Sequence, residues 1–232
     1  MGANHISRIL GTSLIALAAA FISSAPPASA QPCPDVEIVF ARGTGEPPGV
    51  GGVGQSFVDS LRSQLGAKSV AVYPVNYPAS SDFVDRTAFA RTVVDGIRDA
   101  GAHVQATAAN CPNTRVVVGG YSQGAVVAGF VTAAQVPPGI PASFAPDPLP
   151  PEVADHVAAV TLFGKPSGEF LSQYDAPAIV IGPLYAAKTI VLCADGDTIC
   201  NGAPGGGPTA AHILYGVNGM TNQAATFAAG RI

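Results

Sequence analysis

Short apolar runs bounded by glycine and proline recur along the chain, and amphipathic stretches separate them. The runs are rich in valine and isoleucine with little alternation, which is typical of strands buried on both faces. They are Val36–Ala41, Val70–Val75, Arg115–Gly119, Val157–Phe163 and Thr189–Cys193. Because such strands alternate with helical segments, the pattern predicts an α/β fold with a parallel sheet between two helical layers.

The spacing of apolar residues predicts four helices between and after these strands. They are Gln55–Leu65, Asp82–Ala109, Gln123–Ala134 and a final surface helix within Gly219–Ile232. Ser81 or Asp82 is the expected N-cap of the second helix. The third helix consists of small and apolar residues, so it is expected to be buried. The segment Pro137–Pro151 holds seven prolines, so an irregular surface loop is expected there.

The longest apolar run lies near the N-terminus. Residues 9–22 follow Arg8, and Ala28-Ser29-Ala30 comes shortly after them, which is the pattern of a secretory signal peptide. The run is shorter than the roughly 20 residues that a membrane-spanning helix needs. We therefore expect a signal peptide over 1–30, a single domain over 31–232, and a secreted, extracellular protein, with association with the cell wall left open.

Composition excludes two broad classes. The chain carries 11 Lys and Arg residues against 15 Asp and Glu, a formal net charge of −4, whereas nucleic-acid binding needs a basic face. With 48% hydrophobic and only 11% charged residues, disorder is also excluded. An apolar surface of this kind suits small-molecule or lipid substrates.

All four cysteines, Cys33, Cys111, Cys193 and Cys200, follow the predicted cleavage site. An even count in an exported chain favours two disulfides, and three pairings are possible. Cys193 and Cys200 could close a short ring and leave Cys33 with Cys111, but the sequence alone does not choose. No Cys or Cys/His spacing typical of zinc is present, so no metal site is expected.

The segment Gly120-Tyr121-Ser122-Gln123-Gly124 fits the G-x-S-x-G pattern between a predicted strand and a predicted helix. In that pattern a sharp turn lifts the serine hydroxyl above the sheet, and small neighbours give the turn room. The N-terminus of the following helix also presents free N–H groups to developing negative charge. The alternative is a glycine-rich connection with an incidental serine, but strand, turn and helix together favour a nucleophile.

A serine nucleophile needs a base, and elimination selects one of four histidines. His5 lies in the predicted signal peptide, and His103 precedes Ser122, whereas this fold type runs serine, acid, histidine. His156 directly precedes a predicted strand and would lie at the wrong edge of the sheet. His212, which follows the last strand, is the candidate base.

The acid should follow a late strand, and the segment between Cys193 and Cys200 offers Asp195 and Asp197. Asp197 is favoured, although spacing alone does not separate the two. A calcium loop is the alternative interpretation, but too few acidic residues lie nearby for 6–8 oxygen ligands.

Oxyanion stabilisation needs two N–H donors. One is expected from Gln123, the residue after the nucleophile, and the other from Thr44 in the loop after the first strand. Thr44 could also contribute its hydroxyl. The nearby Gly49–Gly54 matches G-x-G-x-x-G, but no strand adjoins it and no acid follows the next strand. A flexible loop, rather than a dinucleotide site, is predicted there, and no cofactor is expected.

Four segments together resemble the cutinase family, and most of all the cutinase-like serine esterases that mycobacteria secrete. They are CPDVEIVFARGTGE, CPNTRVVVGGYSQGA, CADGDTIC and AHILYG, and the resemblance covers residues 33–216. It implies an α/β-hydrolase fold, a three-layer sandwich around a five-stranded parallel sheet, without a full lid. It also implies the Cys33–Cys111 and Cys193–Cys200 bridges. Fungal members usually carry serine where Thr44 stands, and the Pro137–Pro151 loop is longer here than in compact fungal members.

The resemblance implies a triad of Ser122, Asp197 and His212 with an oxyanion hole at Thr44 and Gln123. We therefore expect a monomeric serine esterase that hydrolyses short- or medium-chain acyl esters, of cutin or lipid type, and that can act at a lipid interface. Two alternatives are a carbohydrate acetyl esterase of the same superfamily and a non-catalytic binding protein on a hydrolase scaffold.

Overall fold

A computed structural model describes residues 32–141 and 143–232. Its centre is a five-stranded parallel sheet in the order β2-β1-β3-β4-β5. The strands are β1 (Val36–Ala41), β2 (Val70–Pro74), β3 (Arg115–Tyr121), β4 (Val157–Phe163) and β5 (Thr189–Leu192). Each strand coincides with a predicted apolar run to within two residues at either end, so the α/β sheet prediction is confirmed.

Helices cover both faces of the sheet. They are α1 (Gly51–Leu65), α2 (Arg86–Asn110), α3 (Gln123–Val131), α4 (Gly168–Ser172), α5 (Pro183–Ala186), α6 (Ala210–Ile213) and α7 (Met220–Ala229), with a 3-10 helix at Pro151–Asp155. One apolar core lies between the sheet and the α2–α3 layer, and a second lies between the sheet and the α1–α7 layer. The structure is therefore the predicted three-layer sandwich.

Three predicted helix boundaries are wrong, and each has a local cause. Helix α1 starts at Gly51 rather than Gln55, so the last four residues of the glycine-rich Gly49–Gly54 segment are helical and not a loop. Helix α2 starts after Asp85, whose carboxylate accepts the N–H of Ala88, instead of at Asp82. Helix α3 ends at Val131, three residues early.

Two disulfides, Cys33–Cys111 and Cys193–Cys200, are present, as the family resemblance implies. The first joins the segment before β1 to the residue after α2. The second closes a ring at the carboxyl end of β5. The predicted signal peptide lies outside the described residues. Within those that are described, no helix is long and apolar enough to cross a membrane.

Candidate active site

Ser122 sits at the turn between β3 and α3, at the carboxyl edge of the sheet. Its backbone has φ of 54° and ψ of −116°, a positive-φ conformation that residues other than glycine rarely adopt. The Ser122 N–H donates to the Phe163 carbonyl over 2.9 Å, which ties the turn to the end of β4. This strained turn projects the hydroxyl out of the sheet, as the G-x-S-x-G pattern requires.

Both flanking glycines are required by close backbone contacts. A Cβ atom on Gly120 would lie 2.0 Å from the Gly124 carbonyl oxygen, and one on Gly124 would lie 1.9 Å from the Ala41 carbonyl oxygen. Such distances are far inside van der Waals contact, so no other residue fits without displacing the backbone. The two glycines therefore let α3 begin directly against β1 and β3.

Three side chains form a hydrogen-bonded chain at this edge. The Nε2 atom of His212 lies 2.9 Å from Ser122 Oγ, and its Nδ1 atom lies 2.9 Å from Asp197 Oδ2. Because a carboxylate only accepts hydrogen bonds, Nδ1 carries the proton and Nε2 is left to accept from the serine hydroxyl. The residues come from the turn after β3, the ring after β5 and helix α6.

The structure separates the two candidate acids. Asp195 is exposed. Asp197 is fully buried, and its Oδ1 atom accepts the Ile199 N–H over 3.0 Å. Its Oδ2 atom accepts from both His212 and the Tyr215 hydroxyl, the latter over 2.6 Å. A buried carboxylate with three donors is held in place, which an exposed loop carboxylate is not.

Two tyrosines that the sequence reasoning did not select support this arrangement. Burial, together with the Asp197 carboxylate that it hydrogen-bonds, raises the pKa of Tyr215. Burial, with smaller contributions from Glu46 and Asp197, raises the pKa of Tyr121 as well. Tyr121 donates to the His212 backbone carbonyl over 2.7 Å. Both hydroxyls therefore stay protonated and act as donors that hold the acid and the histidine.

Space for the imidazole comes from Gly164, the residue after β4. Its φ is +55°, and a Cβ atom there would lie 3.0 Å from His212 Cε1 and 3.1 Å from the Tyr215 ring. A side chain at this position would press on both rings. Tyr121 and Tyr215 lie within the segments that resemble the family, but at positions to which no motif assigns a chemical role, and Gly164 lies outside those segments. No signal in the sequence therefore pointed to any of the three residues.

Thr44 and Gln123 line the same cavity as Ser122 and His212. Among the described residues, neither backbone N–H donates to another protein group. Because both residues line the cavity that Ser122 lines, these two free donors can bind an oxyanion there. The Gln123 side chain is buried, and its amide Nε2 donates to the Ser80 carbonyl over 3.0 Å, which fixes the start of α3.

The loop that carries Thr44 is held by Arg42, which is 5% exposed. Its guanidinium donates to the backbone carbonyls of Glu46 over 2.8 Å and of Tyr77 over 2.6 Å. The Glu46 carboxylate accepts the N–H groups of Gly43 and Gly52, over 2.6 and 2.8 Å. These contacts fix the loop between β1 and the start of α1, and with it the position of the Thr44 N–H.

The remaining described histidines are occupied elsewhere. His103 Nε2 lies 3.0 Å from Glu37 Oε1, and its ring stacks on Tyr73 with 3.4 Å between centroids. His156 directly precedes β4, at the edge of the sheet opposite Ser122. The two sulfur atoms nearest Asp197 belong to the Cys193–Cys200 disulfide, so this group offers no thiolate ligands for a metal.

A cavity of about 920 Å³ opens beside Ser122. Its walls are mainly apolar side chains from α2, α3, α4 and the proline-rich loop, among them Phe89, Val93, Ile97, Val126, Phe130, Phe144, Leu149 and Phe170. It has the size and apolar character of a small-molecule site.

A parallel sheet whose serine, aspartate and histidine follow one another in this order along the chain places the protein in the α/β-hydrolase class. The family model described as Cutinase matches residues 32–232. The chain belongs to the cutinase family.

Individual relatives agree with this assignment. The chain is 62% identical over 170 residues to the probable carboxylesterase Culp7 of Mycobacterium tuberculosis, covering 73% of this chain and 89% of that protein. It is 51% identical over 208 residues to the phospholipase Culp4 of the same organism, covering 90% and 83%. A solved Trichoderma reesei cutinase in complex with a C11Y4 phosphonate inhibitor aligns with a TM-score of 0.61 and 34% identity, covering 86% of this chain and 77% of that one.

Proposed function

We propose that this cutinase-family carboxylic ester hydrolase works through an acyl-enzyme formed on Ser122. His212 is the general base, and Asp197 orients the imidazole. The observation that carries the proposal is the hydrogen-bonded chain Ser122–His212–Asp197, with 2.9 Å at each step.

In the first half-reaction the Ser122 oxygen attacks the ester carbonyl while its proton passes to His212 Nε2. The N–H groups of Thr44 and Gln123 stabilise the oxyanion of the tetrahedral intermediate. The imidazolium, stabilised by Asp197, then protonates the alcohol as it leaves. Water attacks the acyl-enzyme by the same route, and the carboxylic acid departs.

The substrate that the cavity supports is an ester with an apolar acyl chain of at least medium length. Apolar walls favour burial of methylene groups by about 0.8 kcal/mol each. They offer few donors and acceptors to sugar hydroxyls, so a carbohydrate acetyl ester is less favoured. The relatives named as a carboxylesterase and a phospholipase agree with a small-molecule or lipid ester.

Export is part of the same proposal. Two disulfides support an oxidising compartment, and the apolar run before Ala30 supports a cleaved signal peptide. Monomeric action and binding at a lipid interface are also proposed, the latter because large apolar side chains such as Ile213 and Val217 are exposed close to His212 in the chain.

Replacement of the nucleophile tests the function. Ser122→Ala should lower kcat on p-nitrophenyl butyrate by roughly 10⁶ and abolish labelling by a fluorophosphonate probe. Ser63→Ala, an exposed serine on α1, is the control and should behave as the wild type. A Ser122→Ala variant within tenfold of wild-type activity would overturn the assignment. Absence of labelling in the wild type would support a non-catalytic binding protein.

A further inference from the structure

The two proposed oxyanion donors belong to different elements of the fold. Thr44 lies in the loop after β1, and Gln123 is the first residue of α3. Because one oxygen atom has to lie about 2.7–3.1 Å from both N–H groups, the distance between these groups must be held closely. Residues 77–80, which follow β2, are bonded to both elements, and we call them the bridging segment.

Two consecutive carbonyls of the bridging segment make these bonds. The Ala79 carbonyl accepts the N–H of Gly45, the residue after Thr44, over 2.7 Å. The Ser80 carbonyl accepts Nε2 of the Gln123 side chain over 3.0 Å. The loop that carries one donor and the helix that carries the other are therefore held by neighbouring peptide groups.

The backbone of Ala79 directs the first of these carbonyls. Its φ is 50°, in the left-handed region that residues with a Cβ atom rarely adopt. The residue is 1% exposed and packs in the core between the sheet and the α2–α3 layer. Because φ is one of only two soft rotations per residue, a residue that avoids positive φ would turn this carbonyl away from Gly45.

The start of the bridging segment is rigid, so the carbonyls are presented from a fixed base. The Tyr77 carbonyl accepts from the Arg42 guanidinium over 2.6 Å, and the Tyr77 hydroxyl donates to the Arg42 carbonyl. The Tyr77 ring packs against α2 beside α3, since a Cβ atom on Gly96 would lie 3.0 Å from both Tyr77 Cγ and Val127 Cγ2. Pro78 follows with a φ that its ring restricts.

The Gln123 side chain gives independent support. It is buried, and among the described residues no group donates to its Oε1 atom. A buried amide oxygen without a hydrogen bond is unfavourable, and an apolar side chain of the same length would avoid that cost. Such a side chain could not donate to Ser80, so the contact made by Nε2 favours a role beyond packing.

Resting on the proposed function, we infer that the bridging segment sets the spacing of the two oxyanion donors. Ala79 is the positioning residue for the Thr44 N–H, on which it acts through Gly45. The side chain of Gln123 positions the N–H of the same residue at the start of α3. Displacing either donor weakens binding of the transition state but not of the substrate, so kcat falls while KM stays nearly constant.

The first test changes the backbone of the bridging segment. Ala79→Val introduces a β-branched residue that avoids positive φ, and kcat on p-nitrophenyl butyrate should fall by roughly tenfold or more. Ala79→Gly adopts positive φ readily and should stay within about threefold of wild type. The control is Ala100→Val, which adds the same two methyl groups at a buried alanine of α2 in the same core and should lower stability but not kcat.

The second test removes the side-chain contact. Gln123→Met keeps the length of the side chain and the backbone N–H but not the amide donor, so kcat should fall by about tenfold. The control is Thr132→Val, because the buried Thr132 hydroxyl donates to the Ala128 carbonyl over 3.0 Å near the other end of α3. It should lower stability without changing kcat. If Ala79→Val does not fold, Gln123→Met and its control decide the question.

Two further measurements separate displaced donors from general damage, with kcat expressed per active site titrated by a fluorophosphonate. A trifluoromethyl ketone adds to the nucleophile as a tetrahedral oxyanion, so its affinity should fall by the same factor as kcat/KM in Ala79→Val and Gln123→Met. The pH at which kcat/KM is half-maximal reports the general base and should equal that of wild type.

A folded Ala79→Val or Gln123→Met enzyme as active as its control would overturn the inference. So would a loss of kcat without weaker binding of the ketone. A shifted pH midpoint would also overturn it, because the disturbance would then lie at His212.

Failure of this inference and failure of the proposed function are separable. If butyrate hydrolysis survives Ser122→Ala, the nucleophile assignment is wrong. If hydrolysis depends on Ser122 but is insensitive to Ala79→Val and Gln123→Met, only the role of the bridging segment is wrong.

Discussion

The Tyr215 hydroxyl donates to Asp197 Oδ2 over 2.6 Å, onto the same oxygen that His212 Nδ1 contacts at 2.9 Å. The hydroxyl also accepts the Ala194 N–H over 2.9 Å, and Tyr215 is fully buried. The Tyr215 hydroxyl therefore bridges two points of the disulfide ring, the Ala194 N–H and the Asp197 carboxylate, and we propose Tyr215 as a positioning residue for Asp197.

Tyr215→Phe should lower kcat on p-nitrophenyl butyrate by about tenfold with KM unchanged, since a hydrogen bond to a charged group contributes about 1.5–3 kcal/mol. The control is Tyr73→Phe, because Tyr73 on β2 also donates to an aspartate, Asp99 in the middle of α2, and neither residue lines the cavity beside Ser122. Tyr73→Phe should cost stability without changing kcat. Equal kcat in Tyr215→Phe and the wild type would show that the hydroxyl has no part in positioning the acid.

The Thr44 hydroxyl can be tested apart from its N–H. Thr44→Val keeps the branched shape and the backbone donor but removes the hydroxyl, and we expect kcat to fall by roughly 10²-fold if the hydroxyl binds the oxyanion. Thr44→Ser restores the hydroxyl and should stay within threefold of wild type, on the same scale. A Thr44→Val enzyme as active as Thr44→Ser would leave the N–H as the sole contribution of this residue.

Removal of the first disulfide should affect only stability, whereas removal of the second should affect both stability and activity. Replacing Cys193 and Cys200 by serine should lower the unfolding free energy by about 2.5 kcal/mol in the chain-entropy model. Because Asp197 lies inside this disulfide ring, kcat of the folded protein should fall as well. Removing Cys33–Cys111 in the same way costs about 4.5 kcal/mol, since its loop is longer.

For the second double variant, kcat of the folded fraction should equal that of wild type, because neither cysteine contacts the active site. Urea unfolding gives the stabilities, and titration of active sites with a fluorophosphonate gives the folded fraction. The expectation fails if both pairs of substitutions reduce kcat to the same extent.

Glu37 gives a pH-dependent contribution to stability. Burial raises its pKa, but hydrogen bonds from His103 and Thr107 outweigh the burial, so the pKa of Glu37 lies below its ordinary 4.5. A lowered pKa in the folded state stabilises the protein above the unfolded pKa, and this stability is lost as pH falls through the folded value.

Between pH 6 and pH 3 the unfolding free energy of wild type should therefore fall more steeply than that of Glu37→Gln. Urea titrations at half-unit pH steps measure the difference. Glu152→Gln is the control, because Glu152 is exposed. Its curve should run parallel to the wild type, and a parallel curve for Glu37→Gln would refute the linkage.

The sheet could be predicted from the sequence because strands buried on both faces leave continuous apolar runs. The start of α2 could not, since Phe83 and Val84 imitate a helical face although Val84 is 96% exposed. The Asp82 carboxylate accepts the Val84 N–H and forms a local turn instead, so the helix begins at the next cap, Asp85.

The start of α1 could not be predicted because glycine disfavours helices. Gly54 is nevertheless required there, since a Cβ atom would lie 2.7 Å from the Phe40 ring, and Glu46 satisfies the free Gly52 N–H at the helix start. Tertiary contacts thus override local preference. Short helices such as α5 and α6 are about one turn long and leave no period to detect.

The site residues also fall into those that the sequence predicts and those that it does not. Ser122 and Gln123 could be predicted from local pattern, because the turn requires glycine on both sides. Spacing alone does not separate Asp197 from Asp195, and the family resemblance implies Asp197. Burial and hydrogen bonding separate the two carboxylates physically. Tyr215 carries no motif, since a buried tyrosine has many structural uses.

Ser122 and His212 are 90 positions apart, and along the chain His212 in α6 comes after β5 and the disulfide ring. If His212 is the base, as we propose, a chain that has formed the Ser122 turn but lacks α6 has a hydroxyl without its base. In the proposed mechanism, turnover therefore requires that nearly the whole chain has been made and folded.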